Sequence, residues 1–206
     1  MQKLLNGIVD FRRRVRPGYA ATFARLALGQ TPDCLLVACS DSRVAPNLFA
    51  STDPGDLFVV RNVGNFVTPF DVGGGAGAAV EFATQVLGVR DIVVVGHSNC
   101  GAMHALLEGG IPSTAPTLAL WLERGRSSVA RMVEPIAPDL PPHDRLSQIN
   151  VLQQLRNLMT YPDVRERVEA GRLRLHAWWF DIANAEVLAW HEPVGRFEPI
   201  LEPADG

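Results

Sequence analysis

The chain has 206 residues, enough for one domain with a substantial core. Apolar residues make up 47% and charged residues 20%, the balance of a soluble globular protein, and a net charge of -3 with both signs mixed gives no case for nucleic-acid binding. No stretch reaches the roughly eighteen apolar residues that span a membrane.

Residues 2–15 place Leu4, Leu5, Ile8, Val9 and Phe11 at helical spacing, which predicts an amphipathic helix ending near Pro17. This segment holds Asp10 and Arg12 to Arg14 and lacks the apolar block of a secretory signal. The three cysteines are few and odd in number, which argues against a disulfide framework. A reducing, cytoplasmic setting is therefore expected. Ala20 to Leu28 read as a second short helix stopped by Gly29. Both helices precede the first strand, and the pattern leaves open packing within the chain or on a second subunit.

Leu35, Leu36, Val37 and Ala38 form a short aliphatic run ending at Cys39. A second strand is predicted over Leu57 to Arg61, after the turn residues Asp53-Pro54-Gly55. The glycine-rich Val72 to Gly77 lacks the Gly-Lys-Ser/Thr ending of a phosphate loop and instead leads into a helix over about 78–87. Ile92, Val93, Val94 and Val95 give a third strand ending at His97, with a helix over about 102–107 beyond it. Residues 117–133 carry Leu118, Trp121, Leu122, Val129, Met132 and Val133 at helical spacing, and the four prolines of 135–144 mark a loop. Ile149, Leu152, Leu155 and Met159 predict a further helix closed by Pro162, before a strand pair over Leu173 to Phe180 and Glu186 to Trp190. The expected class is α/β: a mostly parallel central sheet wrapped by helices.

Two loops carry the chemistry: Cys39-Ser40-Asp41-Ser42-Arg43 and His97-Ser98-Asn99-Cys100-Gly101. Each follows a buried-strand pattern, and open parallel sheets place ligands outside the carboxyl ends of their strands. Cys39, His97 and Cys100 are thus expected to converge from neighbouring strand ends. Two thiolates and an imidazole suit zinc, with a fourth position left for water. Asp41 and Arg43 are spaced for a bidentate ion pair beside that position. Cys34, five positions before Cys39, points to the other sheet face and reads as a buried core thiol. His104 lies one helical turn past Cys100 and reads as a solvated helix residue; His143, His176 and His191 read as structural or exposed.

With those motifs in hand, the sequence resembles the β-class carbonic anhydrases, nearest to the bacterial and cyanobacterial branch. The resemblance rests on both metal motifs, on Gly55-Asp-Leu-Phe-Val-Val-Arg-Asn62, on Gln154-Leu-Arg-Asn-Leu158 and on Leu175-His-Ala-Trp178. Ala177 departs from the glycine usual at that position. The resemblance implies one domain over 1–206, with residues 1–30 a helical arm packing on a neighbouring subunit. It implies reversible hydration of carbon dioxide to bicarbonate and a proton, by a hydroxide on zinc in an apolar pocket at a dimer interface. Cys39, His97 and Cys100 are then the ligands, joined by Asp41 only in a closed state, and Asp41 and Arg43 are the catalytic pair. Gln30, Phe58, Val63, Phe82 and the N–H of Gly101 fall at the family's substrate-contact positions. A carbonyl sulfide or carbon disulfide hydrolase on the same site, or a zinc-stabilised scaffold, is the alternative; the intact Asp41–Arg43 pair argues against the scaffold. The bicarbonate-regulated relatives use a tryptophan, an arginine and a tyrosine, where this chain has Leu36, Arg61 and Phe180. Non-allosteric behaviour is expected.

Overall fold

The computed structural model describes residues 1–201. Two N-terminal helices, α1 (Gln2–Asp10) and α2 (Arg16–Leu26), run on from one another through a π-helical stretch at Phe11–Val15. Pro17 therefore does not end the first helix, as its position predicted. Its missing N–H and its ring are accommodated at the start of α2, where the ladder has already widened from i−4 to i−5 bonding. No residue of either helix is buried, so the arm does not pack into this chain's core. Tyr19 ties it down by donating to Asp53 Oδ1 at 2.9 Å.

The centre is a six-stranded sheet in the order β2-β1-β3-β4-β5-β6. Its strands are β1 (Cys34–Cys39), β2 (Leu57–Asn62), β3 (Asp91–His97), β4 (Arg174–Asp181), β5 (Glu186–His191) and β6 (Arg196–Pro199). The first four in sheet order are parallel, and β5 and β6 add on antiparallel. The chain leaves β1 for one neighbour, β2, and returns on the other side as β3. That reversal is the switch point where a crevice opens above the strand ends. The strand pair expected at the C-terminus is thus a three-stranded meander. Its last strand escapes a sequence reading because Phe197 is the only buried residue among its four.

One face of the sheet is covered by α4 (Gly75–Glu81), with its π-helical continuation Phe82–Leu87, and by α5 (Gly101–Glu108). On the same face lie α8 (Pro142–Leu158) and α9 (Pro162–Glu169), the latter unpredicted because Val164 alone of its residues is buried. The apolar stretch 117–133 is broken into α6 (Pro116–Leu122) and α7 (Arg126–Ala130), separated by a 3₁₀ turn. The break sits where Gly125 passes Leu106: a Cβ there would lie 2.4 Å from Leu106 Cδ1. The proline loop ends earlier than expected, since Pro142 already opens α8. A one-turn helix, α3 (Pro46–Phe49), follows the first motif. No helix among the described residues is long and apolar enough to cross a membrane.

The long helix α8 does more than cover the sheet. Its Asn150, Gln154 and Asn157 are buried and form a polar ladder against the loop after β2. Asn150 Nδ2 donates to Gly64 O at 3.0 Å, Gln154 Oε1 accepts from Val67 N at 2.9 Å, and Asn157 Nδ2 donates to Val67 O at 2.8 Å. Buried amides are tolerated when so fully paired, and each bond here fixes loop backbone. The close approach of α8 to β3 requires Gly96, where a Cβ would lie 2.6 Å from Val151 Cγ2.

Candidate metal centre

Cys39 is the last residue of β1 and His97 the last of β3, and these strands are direct parallel neighbours, with Ala38 beside Val95. After His97 the chain turns through Asn99, which adopts a left-handed φ of 52°. That turn brings Cys100 back as the N-cap of α5. Asn accepts this conformation at low steric cost. One sulfur from each cysteine and one ring nitrogen of His97 all lie within 4.8 Å of one another, and all three residues are buried.

The donor set suits a zinc ion on its own chemistry. His97 Nδ1 lies 2.9 Å from the Ser98 carbonyl, which fixes the proton there and leaves the lone pair on Nε2. That Nε2 is buried and has no hydrogen-bond partner. An orphaned imidazole nitrogen beside two cysteine thiols has the chemistry of a metal donor. The Cys39 thiol is pulled well down, above all by its hydrogen bond with Cys100, then by His97 and the backbone N–H groups of Gly64 and Asp41, against burial. Its partner Cys100 is pushed up by the same shared proton.

Asp41 sits at the mouth of this site. Its Oδ1 accepts from Arg43 Nε at 2.9 Å and its Oδ2 from Arg43 Nη2 at 2.7 Å, the bidentate pairing expected from the motif. Arg43's hydrogen bonds hold the Asp41 carboxyl well below the usual carboxylate range. Oδ2 lies 3.9 Å from His97 Nε2. Arg43 is anchored in turn, its Nη2 donating to Asn99 O at 2.9 Å. Arg61 braces the loop from below, donating to Cys39 O at 3.0 Å and Asp41 O at 2.7 Å. Ser147 of α8 donates to His97 O at 2.8 Å and accepts from Trp179 Nε1 at 3.1 Å.

A cavity of about 320 Å³ opens beside Cys39 and Asp41. Its walls include Val63 and Gly101, two of the residues singled out for substrate contact, together with Ala105, Leu118 and Leu122. The other three lie elsewhere in the single chain. Gln30 is exposed, in the connection between α2 and β1. Phe58 and Phe82 pack on one another with ring centroids 5.7 Å apart. Leu118 and Leu122 were visible in the sequence only as an apolar helix face; nothing local marks which cavity such a face will wall. Cys34 is on the opposite sheet face, as alternation required, but it is half-buried rather than in the core. Burial and the charge of Asp91 push its thiol up to about 12. His104 stacks on His143 with centroids 3.9 Å apart and contacts Asn99 Oδ1 at 2.9 Å through Nε2.

The carbonic anhydrase family profile matches residues 34–187, from the first strand through the second motif to β5. The chain belongs to the β-carbonic anhydrases. A carbonic anhydrase of Pseudomonas aeruginosa is 40% identical over 204 residues, covering 98% of this chain and 93% of its own. One from Synechocystis is also 40% identical, over 216 residues, covering all of this chain and 78% of its own. Among solved structures, the β-carbonic anhydrase CcaA superposes with a TM-score of 0.91 at 36% identity, over 98% of this chain and 92% of that one. A tetrameric β-carbonic anhydrase of Sordaria macrospora gives 0.79 at 30% identity, over 91% and 95%. This chain is accordingly a carbonic anhydrase in activity, and Cys39, His97 and Cys100 form a cluster that could hold a metal ion. In this carbonic anhydrase Ala177, where glycine was expected, is buried in β4 beside Val94, and the added methyl joins the core without disturbing the ladder.

Proposed function

We propose that this chain hydrates carbon dioxide reversibly with zinc held by Cys39, His97 and Cys100, and that Asp41 and Arg43 are its catalytic pair. The observation that carries this reading is the orientation of Asp41: its Oδ2 lies 3.9 Å from the unpartnered His97 Nε2 while both its oxygens are held by Arg43. Bound by the three donors, zinc supplies a water acidified toward neutrality, the nucleophile that hydration needs. Asp41 would accept a hydrogen bond from the attacking water and so orient it toward the carbon. Arg43 keeps the carboxylate charged and off the metal donors. Val63, Leu118 and Leu122 keep bulk water from an apolar substrate. The N–H of Gly101, at the start of α5, donates to the oxygen on which negative charge develops.

The active unit is at least a dimer. The exposed Leu4, Leu5, Ile8, Val9 and Phe11 of the arm need a covering surface that this chain does not offer. A second copy supplies it, and the same contact brings Gln30, Phe58 and Phe82 to a neighbouring cavity. The test is stopped-flow hydration of carbon dioxide, with carbonyl sulfide as a parallel substrate and zinc measured per chain. One zinc per chain and hydration well above the carbonyl sulfide rate are expected. Zinc-free active protein, or preference for carbonyl sulfide, would overturn the reading.

A further inference from the structure

At the opposite end of the strands from the metal centre lies a second cavity, of about 520 Å³, lined by Gly88, Arg90, Arg167, Gly171, Arg172 and Arg174. Four arginines and two glycines line it, and no acidic residue does. Carboxylates stand behind three of the four. Arg174 is held by Asp91 through Nε and Nη2, both at 2.8 Å. Arg167 donates through Nε to Asp163 at 3.1 Å, and Arg172 donates through Nη2 to both oxygens of Glu166. Each keeps guanidinium donors that its carboxylate does not use, so the acids orient the forks without filling them. Arg90 has no side-chain partner among the described residues, and its backbone is pinned between Asp33 and Arg174. Gly88 and Gly171 have left-handed φ values of 69° and 66°, with nothing within 4 Å of an added Cβ. They leave the rim open and let a ligand reach the peptide backbone.

We propose that this cavity is a binding site for a phosphate-chain anion carrying several negative charges. A single bicarbonate or chloride can engage only one or two forks and leaves the free donors of the others unused. A chain of linked phosphates presents several charged oxygens that can take the free donors of more than one arginine, in the bidentate geometry that Arg favours. The wall has no aromatic ring, so it offers no platform for a nucleotide base. The phosphate chain is what is recognised, and inorganic tripolyphosphate binds as well as the same chain on a nucleotide. The site is distinct from the metal centre: it sits at the first residues of β3 and β4, whereas His97 ends β3.

The test is calorimetric titration of tripolyphosphate and of ATP into the zinc-loaded protein at about 50 mM salt, where screening is weak. One site per chain is expected, with similar affinity for the two anions and weakening as salt rises. Arg90→Ala and Arg172→Ala, both at exposed positions, each weaken it about tenfold, the loss of one charge-assisted contact. Arg90→Lys, which keeps the charge but loses the fork, falls between. Zinc per chain and carbon dioxide hydration stay unchanged in these variants. An anion held at the zinc instead would bind all variants equally, and that result overturns the proposal. So does the absence of saturable binding in the millimolar range, or tighter binding of polyglutamate than of tripolyphosphate, which would assign the surface to an acidic protein partner. An ATP affinity far above that of tripolyphosphate would overturn the claim that the phosphates alone are read.

Discussion

Arg43 holds both oxygens of Asp41, at 2.9 and 2.7 Å, and is itself tied by Nη2 to the carbonyl of Asn99, which lies between the candidate metal donors His97 and Cys100. The proposed catalytic pair is therefore fastened to the loop that carries two of the three candidate metal donors. Asp41→Asn keeps the shape but loses the charged acceptor; Arg43→Ala frees the carboxylate to approach the metal donors. Both variants are expected to lose about a hundredfold or more in hydration rate, the scale of one lost orienting or charge-stabilising group. Zinc per chain stays near that of the parent. Full activity in both would remove Asp41 and Arg43 from the chemistry.

The same pair has a signature in stability. The Asp41 carboxyl titrates below the usual carboxylate range in the folded chain because Arg43 hydrogen-bonds its charged form. The unfolded chain, with a value near about 3.9, takes up the proton first as pH falls. The stabilisation from Arg43 is thus complete above about pH 5 and drains away as pH falls toward the lower folded value. Urea unfolding of metal-stripped protein should show a larger deficit for Arg43→Ala at about pH 6.5 than at about pH 3. An equal deficit at both would mean that Arg43 acts through something other than the charge of Asp41.

Removal of the metal tests the ligand set directly. Cys39→Ser and Cys100→Ser replace a thiolate by a hydroxyl that does not ionise near neutral pH, and each is expected to bring zinc below about a tenth of an ion per chain. Dipicolinate treatment of the parent should abolish hydration, and added zinc should restore it. Retention of full zinc by either serine variant would mean that another residue is the third ligand.

Ser147 shows what the sequence concealed. It is a lone serine just ahead of the predicted helix, yet it donates to His97 O and accepts from His97 N and Trp179 Nε1, so one hydroxyl serves three buried groups. Ser147→Ala removes that partner from all three and should cost about 1–3 kcal/mol. The check is a fall in melting temperature larger than that for an exposed serine such as Ser127. A melting temperature within error of the parent would place water in the gap.

The strands that carry the site were legible because β1 and β3 are aliphatic runs that end at chemically distinctive residues, Cys39 and His97. Short spacing also made the Asp41–Arg43 pair readable. What failed was read from weak or misleading local signals. Pro17 marked a stop that a π-helical stretch absorbs, α9 has a single buried residue, and β6 is a four-residue edge strand. The apolar face at 117–133 gave the right residues but a single helix, since the 3₁₀ break falls beside Gly125, whose missing Cβ makes room for Leu106, a contact across 19 positions. The brace by α8 was equally hidden. Asn150, Gln154 and Asn157 look like a solvated face until the loop after β2 is laid against them.

The last prediction concerns regulation. Relatives held closed by bicarbonate need polar groups at the positions of Leu36, Arg61 and Phe180. Here Leu36 is fully buried, and Phe180 stacks on Phe49 with centroids 5.1 Å apart. Arg61 already donates to the carbonyls of Cys39 and Asp41, so its guanidinium is committed to bracing the active-site loop. A bicarbonate ion among these three would have oxygens facing an aliphatic and an aromatic side chain, and each unpaired polar group costs on the order of 1–3 kcal/mol. Arg43 gains nothing by releasing Asp41 under those conditions. Hydration should therefore rise with pH along one simple titration, without the steep profile of a coupled closure. Added bicarbonate should inhibit only as product. A cooperative pH profile, or a crystal grown near pH 8 with Asp41 on the metal, would show that closure proceeds without the missing side chains.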